Sequence, residues 1–173
     1  ISKNPKKLEL IEIDKDLTII LREKFKKKKF IKIINKNVLK HEINDNYDLI
    51  ISNLPYNISS QVLVKLSIMD NAPNEMILMF QKEFAAKLLE NRLNSINSIV
   101  KCFYKIQLRF HVSKNCYRPI PKIDSSVLKF EKLNKFLLKK NEIDNFIKFK
   151  IYLFSYKRKS LKNLLKKYEI NSN

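Results

Sequence analysis

Short apolar runs alternate with stretches of helical periodicity up to about residue 133, and this alternation constrains the fold more than any other feature. "LELIEID" (Leu8 to Asp14), "FIKII" (Phe30 to Ile34), "YDLIIS" (Tyr47 to Ser52) and "EMILMF" (Glu75 to Phe80) read as strands. The last of these is apolar on both faces, as buried parallel strands are. Between the first two lies "LTIILREKF", with Leu17, Ile20, Leu21 and Phe25 at helical spacing and Asp16 placed to cap. Ser59 or Ser60 is expected to cap a helix carrying Val62, Leu63, Leu66 and Met69. "EFAAKLLENRL" reads as a helix, and Ile96, Ile99, Val100 and Phe103 mark another. "IQLRFHV" and "SSVLKF" close the region as strands. The pattern predicts a parallel or mostly parallel α/β sheet, Rossmann-like, with helices on both faces. Ligands of such sheets bind beyond the carboxyl ends of the strands. Glu12 and "SNLPYN" (Ser52 to Asn57) both lie at such ends.

Beyond residue 133 the texture turns helical. Ile143, Phe146, Ile147 and Ile151 form one apolar stripe, and Leu161, Leu164, Leu165 and Tyr168 another. Lys157, Arg158, Lys159, Lys162, Lys166 and Lys167 lie off the second stripe. Residues 1–133 are read as one domain and 134–173 as a small basic helical domain. The net charge of +19 points to a polyanionic partner, nucleic acid before membrane. Lys, Asn, Ile, Phe and Tyr, which share A/T-rich codons, make up more than half of the chain, so charge alone is permissive. No run approaches the roughly 18 apolar residues of a membrane-spanning helix. Two cysteines without a CxxC and two histidines disfavour a metal site or a disulfide framework and fit a reducing cytosol.

"SNLPYN" carries the chemistry. The exocyclic amine of a nucleobase is a poor nucleophile, because its lone pair is delocalised into the ring. A site that alkylates it must hold both N–H groups and aim the nitrogen. The Asn53 side-chain oxygen can accept one N–H. The Leu54 carbonyl can accept the other, held by Pro55, which fixes its own φ and disfavours helical geometry before it. Tyr56 can stack on the base, worth about 1–3 kcal/mol. A plain strand-to-loop proline turn with a buried tyrosine is the competing reading.

The longer stretch "NLPYNISS" (Asn53 to Ser60) resembles the fourth motif of the ribosomal RNA adenine dimethyltransferases. "IEIDKDL" (Ile11 to Leu17) is similar to the acidic loop after that family's second strand, and "MFQKEFAAKLL" (Met79 to Leu89) to its Gln-Lys-Glu segment. "CYRPIPKIDSSV" (Cys116 to Val127) resembles its Phe-x-Pro-x-Pro-Lys-Val-Asp-Ser loop, with Tyr117 in place of the Phe. "FSYKRKSLKNLL" (Phe154 to Leu165) is similar to its basic C-terminal helix.

The resemblance implies a class I methyltransferase fold and an S-adenosylmethionine-dependent enzyme. It would dimethylate N6 of two adjacent adenines near the 3′ end of small-subunit rRNA, in the cytoplasm, as a monomer. Asn53, Leu54, Pro55, Tyr56 and Tyr117 would act on the base. Glu12, Ile13, Asn37, Val38 and Asn53 would hold the cofactor, Glu12 through the ribose hydroxyls. The chain departs from the family pattern in three ways. It has no glycine and opens beside the second strand, so an N-terminally incomplete methyltransferase domain is expected. Asn37 stands where the family has Asp, and Ser52 where it has Gly. A non-catalytic RNA-binding ribosome-assembly factor on the same fold is the alternative.

Overall fold

The computed structural model describes residues 5–156 and 159–165. The chain divides into two compact units, Ile1–Asp45 and Asn46–Asn173.

In the first unit, β1 (Leu8–Glu12) and β2 (Ile31–Asn35) pair in parallel, from Leu8 opposite Ile31 to Glu12 opposite Asn35. Parallel neighbours need a crossover, here α1 (Lys15–Phe25). Asp14, not Asp16, caps that helix: its Oδ1 accepts Asp16 N at 2.8 Å and Leu17 N at 3.1 Å. Asp14 is still extended (φ −72°, ψ 123°), whereas Asp16 already lies in the first turn. The inward face is not the full stripe expected. Thr18 is buried and bonds back to Asp14 O at 2.7 Å, and Leu21 and Phe25 follow on its face. Leu17 and Ile20 turn outward, 49% and 59% exposed.

In the second unit, β3 (Leu49–Asn53), β4 (Glu75–Gln81), β5 (Tyr104–Val112) and β6 (Ser125–Lys132) form a sheet in the order β3-β4-β6-β5. β3 and β4 are parallel, and β6 is antiparallel to both β4 and β5. Three of these four strands therefore point one way, and only β6 runs against them. Because β6 lies between β4 and β5, only one of the three pairings in this sheet is parallel, and the sheet is mixed where the sequence pattern predicts a mostly parallel one.

The core gathers on one face of β4. Met76, Leu78 and Phe80 are buried there, beside Leu128 and Phe130 of β6. The opposite β4 face (Glu75, Ile77, Met79, Gln81) is half-buried, so the strand is less evenly covered than its sequence predicts. Lys129 pairs with Glu131 of its own strand and with Glu75 across the sheet, at 2.8 Å each, and those two bonds hold its pKa above the usual lysine value.

α2 (Ser59–Ile68) buries Val62, Leu63 and Leu66, as expected. Neither serine caps it. Ile58 is the cap residue, and the Ser59 hydroxyl donates to Tyr56 O at 3.1 Å. Met69 ends the helix in extended geometry. α3 (Lys82–Leu89) also stops short, at Glu90. α4 shrinks to one turn, Asn97–Val100, although Ile99, Val100 and Phe103 are buried as expected. Asn94 acts as a cap at its start, its Oδ1 accepting Ile96 N and Asn97 N at 3.0 and 2.9 Å, and past Val100 the chain tightens into i→i−3 bonds, Cys102 N to Ile99 O and Phe103 N to Val100 O.

α5 (Ile143–Ser155) and α6 (Leu161–Leu165) follow, tied by Tyr152, which donates to Leu164 O at 3.3 Å. Ile143 and Leu164 are buried, whereas Leu161 and Leu165 of the expected stripe are exposed. Lys157, Arg158, Lys166, Lys167 and Tyr168 of the expected basic helix lie outside the described residues. Among the described residues no helix is long and apolar enough to cross a membrane.

Loss of the α1 cap should be measurable. Asp14→Ala is expected to lower unfolding stability by about 1 kcal/mol in urea titrations, whereas Asp14→Ser should retain most of it.

Candidate functional site

The second unit brings all five base-site candidates to one place. β3 ends with Asn53 opposite Met79 of β4. The ladder stops there because Pro55 has no N–H to continue it. Pro55 O then accepts Ile58 N at 3.2 Å, which closes the turn into α2. The Leu54 side chain is 4% exposed and anchors the corner, while Asn53 and Pro55 on either side face solvent. A corner pinned from below in this way fixes an exposed amide without burying it.

Tyr56 and Tyr117 are both half-buried, and each ring is tied down at its hydroxyl. Tyr56 Oη shares a hydrogen bond of 2.9 Å with Oγ of the buried Ser125, the first residue of β6. Tyr117 Oη donates to Met79 Sδ at 3.1 Å. Tyr117 leads out of a single 3-10 turn at Lys114–Cys116, and Arg118 braces the loop by donating to Asn115 O and Tyr117 O at 3.2 and 2.9 Å. Asn53, Leu54, Pro55, Tyr56, Tyr117, Arg118, Pro119 and Pro121 line one cavity of about 350 Å³. Neutral acceptors and two aromatic rings around an open cavity suit a flat heterocycle with an amino group.

The remaining candidates belong to the first unit. Glu12 ends β1, and its Oε1 accepts Ile13 N at 2.7 Å and Asp14 N at 2.9 Å. Ile13 is 63% exposed. Asn37 and Val38, both half-buried, follow the end of the adjacent strand β2. Asn37 Oδ1 accepts Leu39 N at 2.9 Å, so an adenine amino group would be its second donor, which a carbonyl oxygen can take. A carboxylate and an amide oxygen at the ends of neighbouring parallel strands are the acceptors that a nucleoside's hydroxyls and amine call for. These residues fit the adenosine part of S-adenosylmethionine.

Some residues at these sites carry no signal of their own in the sequence. Asn35 clamps the loop after β1: its Nδ2 donates to Glu12 O and Ile13 O at 3.0 Å each and to Thr18 Oγ1 at 3.2 Å. Ser125 is a second, and Met79 a third. Arg118, Pro119 and Pro121 complete the cavity wall, and of these only the Pro-x-Pro pattern stood out.

The Tyr56–Ser125 bond should behave as one unit. Tyr56→Phe and Ser125→Ala are each expected to destabilise, with a coupling of about 1 kcal/mol in a double-mutant cycle read by urea unfolding. Strict additivity would mean that the bond holds nothing.

Comparison with known proteins bears on the fold and the family. The profile of the family described as ribosomal RNA adenine dimethylase matches residues 1–172. The ribosomal RNA small subunit methyltransferase A of Malacoplasma penetrans is 37% identical over 174 residues, covering 94% of this chain and 61% of that protein. A dimethyladenosine transferase from Plasmodium falciparum superposes with a TM-score of 0.80 at 28% identity, covering 93% of this chain and 60% of the other. The 23S rRNA methyltransferase ErmE superposes with a TM-score of 0.76 at 21% identity, covering 96% and 69%, which is a likeness of fold alone. The chain spans about three-fifths of the length of the curated relatives it matches. Its strand and helix alternation therefore builds the Rossmann-like methyltransferase fold, and the chain belongs to the ribosomal RNA adenine dimethylase family.

Proposed function

We propose that the protein carrying this chain is an S-adenosylmethionine-dependent rRNA adenine N6,N6-dimethyltransferase. It modifies two adjacent adenines near the 3′ end of small-subunit rRNA, in the cytoplasm, as a monomer. Residues 1–133 carry the methyltransferase site, and the basic helical residues 134–173 assist RNA docking. One observation supports the reading above others: Asn53, Leu54, Pro55, Tyr56 and Tyr117, drawn from two stretches far apart in sequence, line one cavity.

The chain's own residues do the positioning. The target adenine leaves its stack, as base-modifying enzymes require, and lies between the rings of Tyr56 and Tyr117. Asn53 Oδ1 and the Leu54 carbonyl accept its two N–H groups and orient the nitrogen lone pair. Glu12, Ile13, Asn37 and Val38 hold the adenosine part of the cofactor. S-adenosylmethionine, when bound, would supply an electrophilic methyl group for adenine N6. The acceleration comes from alignment and from acceptors already in place before the charge develops.

A non-catalytic assembly factor is the second reading. It is favoured by Asn37, which stands where the family has an acid and would hold the adenine amine without charge assistance. Two measurements on the full-length protein separate them. Asn53→Ala is expected to reduce tritium transfer to small-subunit rRNA by at least about 10²-fold while leaving filter-binding affinity nearly unchanged. Equal loss of both would remove Asn53 from its assigned role. Calorimetric titration of the unmodified protein with S-adenosylmethionine should release heat, and a silent titration would favour the assembly factor.

A further inference from the structure

We propose that a second cavity, which shares the loop after β5 with the base cavity, seats a backbone phosphate of the same RNA strand. The proposal rests on the function given above. This cavity has a volume of about 270 Å³ and is lined by Lys82, Glu83, Lys114, Lys122, Ile123 and Asp124.

Residues of two stretches that do not themselves line the base cavity meet here. Lys82 and Glu83 come from the Gln-Lys-Glu segment that opens α3, and Lys122 follows the Pro-x-Pro pair. Asp124 is what brings them together. Its backbone oxygen accepts Lys82 N at 3.0 Å, and its Oδ1 accepts Lys114 N at 3.0 Å. One residue thus fixes the base of Lys82 and of Lys114 around a single notch, with Lys122 two residues away along its own strand of loop. The three lysines are exposed, and among the described residues none of their ammonium groups pairs with a carboxylate. Three ammonium groups therefore face two carboxylates, and the Asp124 carboxylate is engaged with the loop backbone. The lining is net positive.

The ligand class follows from covalent continuity. Pro121 lines the base cavity and Lys122 lines the second. Their Cα atoms are joined by one peptide, about 3.8 Å apart. A strand with one base in the first cavity must run its sugar–phosphate chain close by. A lysine ammonium is a compact charge with three donors, suited to a phosphate oxygen without reading sequence. Extruding a nucleotide turns it about its own backbone, so a neighbouring phosphate is the natural point to grip.

The test uses the full-length protein and an RNA oligonucleotide from the 3′ end of small-subunit rRNA. Binding is measured across a salt series for wild type, Lys82→Gln, Lys122→Gln and the double variant. Lys87→Gln, on the last turn of α3, serves as the control. Each cavity substitution is expected to flatten the slope of log affinity against log salt by about 0.7, the single-strand value per contact. In methyl transfer it should raise KM and leave kcat unchanged, and Lys87→Gln should do neither. A slope change at Lys87 equal to that at Lys82 and Lys122 overturns the proposal, because it reports diffuse charge and not a site. Unchanged slopes at Lys82 and Lys122 in a protein that binds and methylates RNA overturn this proposal alone. A wild-type protein that neither binds nor methylates the RNA overturns the function reading, and this proposal with it.

Discussion

The register of β4 against its two neighbours is the constraint on which the rest depends. It sets Asn53 opposite Met79 on one side, and Gln81 opposite Ser125 on the other. Tyr117 is then tied to Met79, and Tyr56 to Ser125. A slip of one residue would turn every side chain of a strand to the other face. Asn53 and Leu54 would exchange places, and the amide would be buried. What prevents the slip is apolar: Met76, Leu78 and Phe80 are fully buried on one face of β4, and each such side chain contributes about 1.5–3 kcal/mol by leaving water. The polar corner does not have to stabilise itself. The core holds it open from behind.

This division explains what the sequence could disclose. Periodicity reports local geometry, so the strands, the crossover α1 and the buried stripe of α2 were all legible. The corner at Asn53 was legible too, because proline and amide chemistry acts over a few residues. Choices between neighbours were not. Asp14 and Asp16 are both acids before a helix, and only the backbone angles of Asp14 decide which one caps. Leu17 and Ile20 fit a helical stripe as well as Leu21 and Phe25 do, but Thr18 takes the inward position through its bond to Asp14. Ser125 and Asn35 act through partners 69 and 22 or 23 positions away, and no periodic pattern encodes such a contact.

The backbone shows a second consequence of composition. The chain has no glycine, and among the described residues none has a positive φ. Its helices therefore end without the left-handed residue that glycine makes easy. Met69 (φ −67°, ψ 155°) and Glu90 (φ −50°, ψ 139°) simply turn extended. The same restriction shapes the sites. Pro55, Pro119 and Pro121 bound the base cavity, and proline loses less conformational freedom on folding than other residues. At the ends of β1 and β2, side chains replace backbone freedom: Glu12 Oε1 and Asn37 Oδ1 fold each loop onto its own N–H groups.

Charge needs the same discrimination by position. With 36 Lys and Arg in 173 residues, and with codon composition favouring lysine, the total says little about RNA. Individual lysines say more. Lys129 is held between Glu75 and Glu131, and Lys132 donates to Ala72 O at 2.8 Å, so both serve the fold. Lys82, Lys114 and Lys122 serve no such internal partner among the described residues. Drift toward lysine can supply three charges anywhere on a surface. It does not supply an aspartate whose carbonyl and carboxylate each seize the backbone of a different lysine and set them around one notch. The arrangement depends on Asp124.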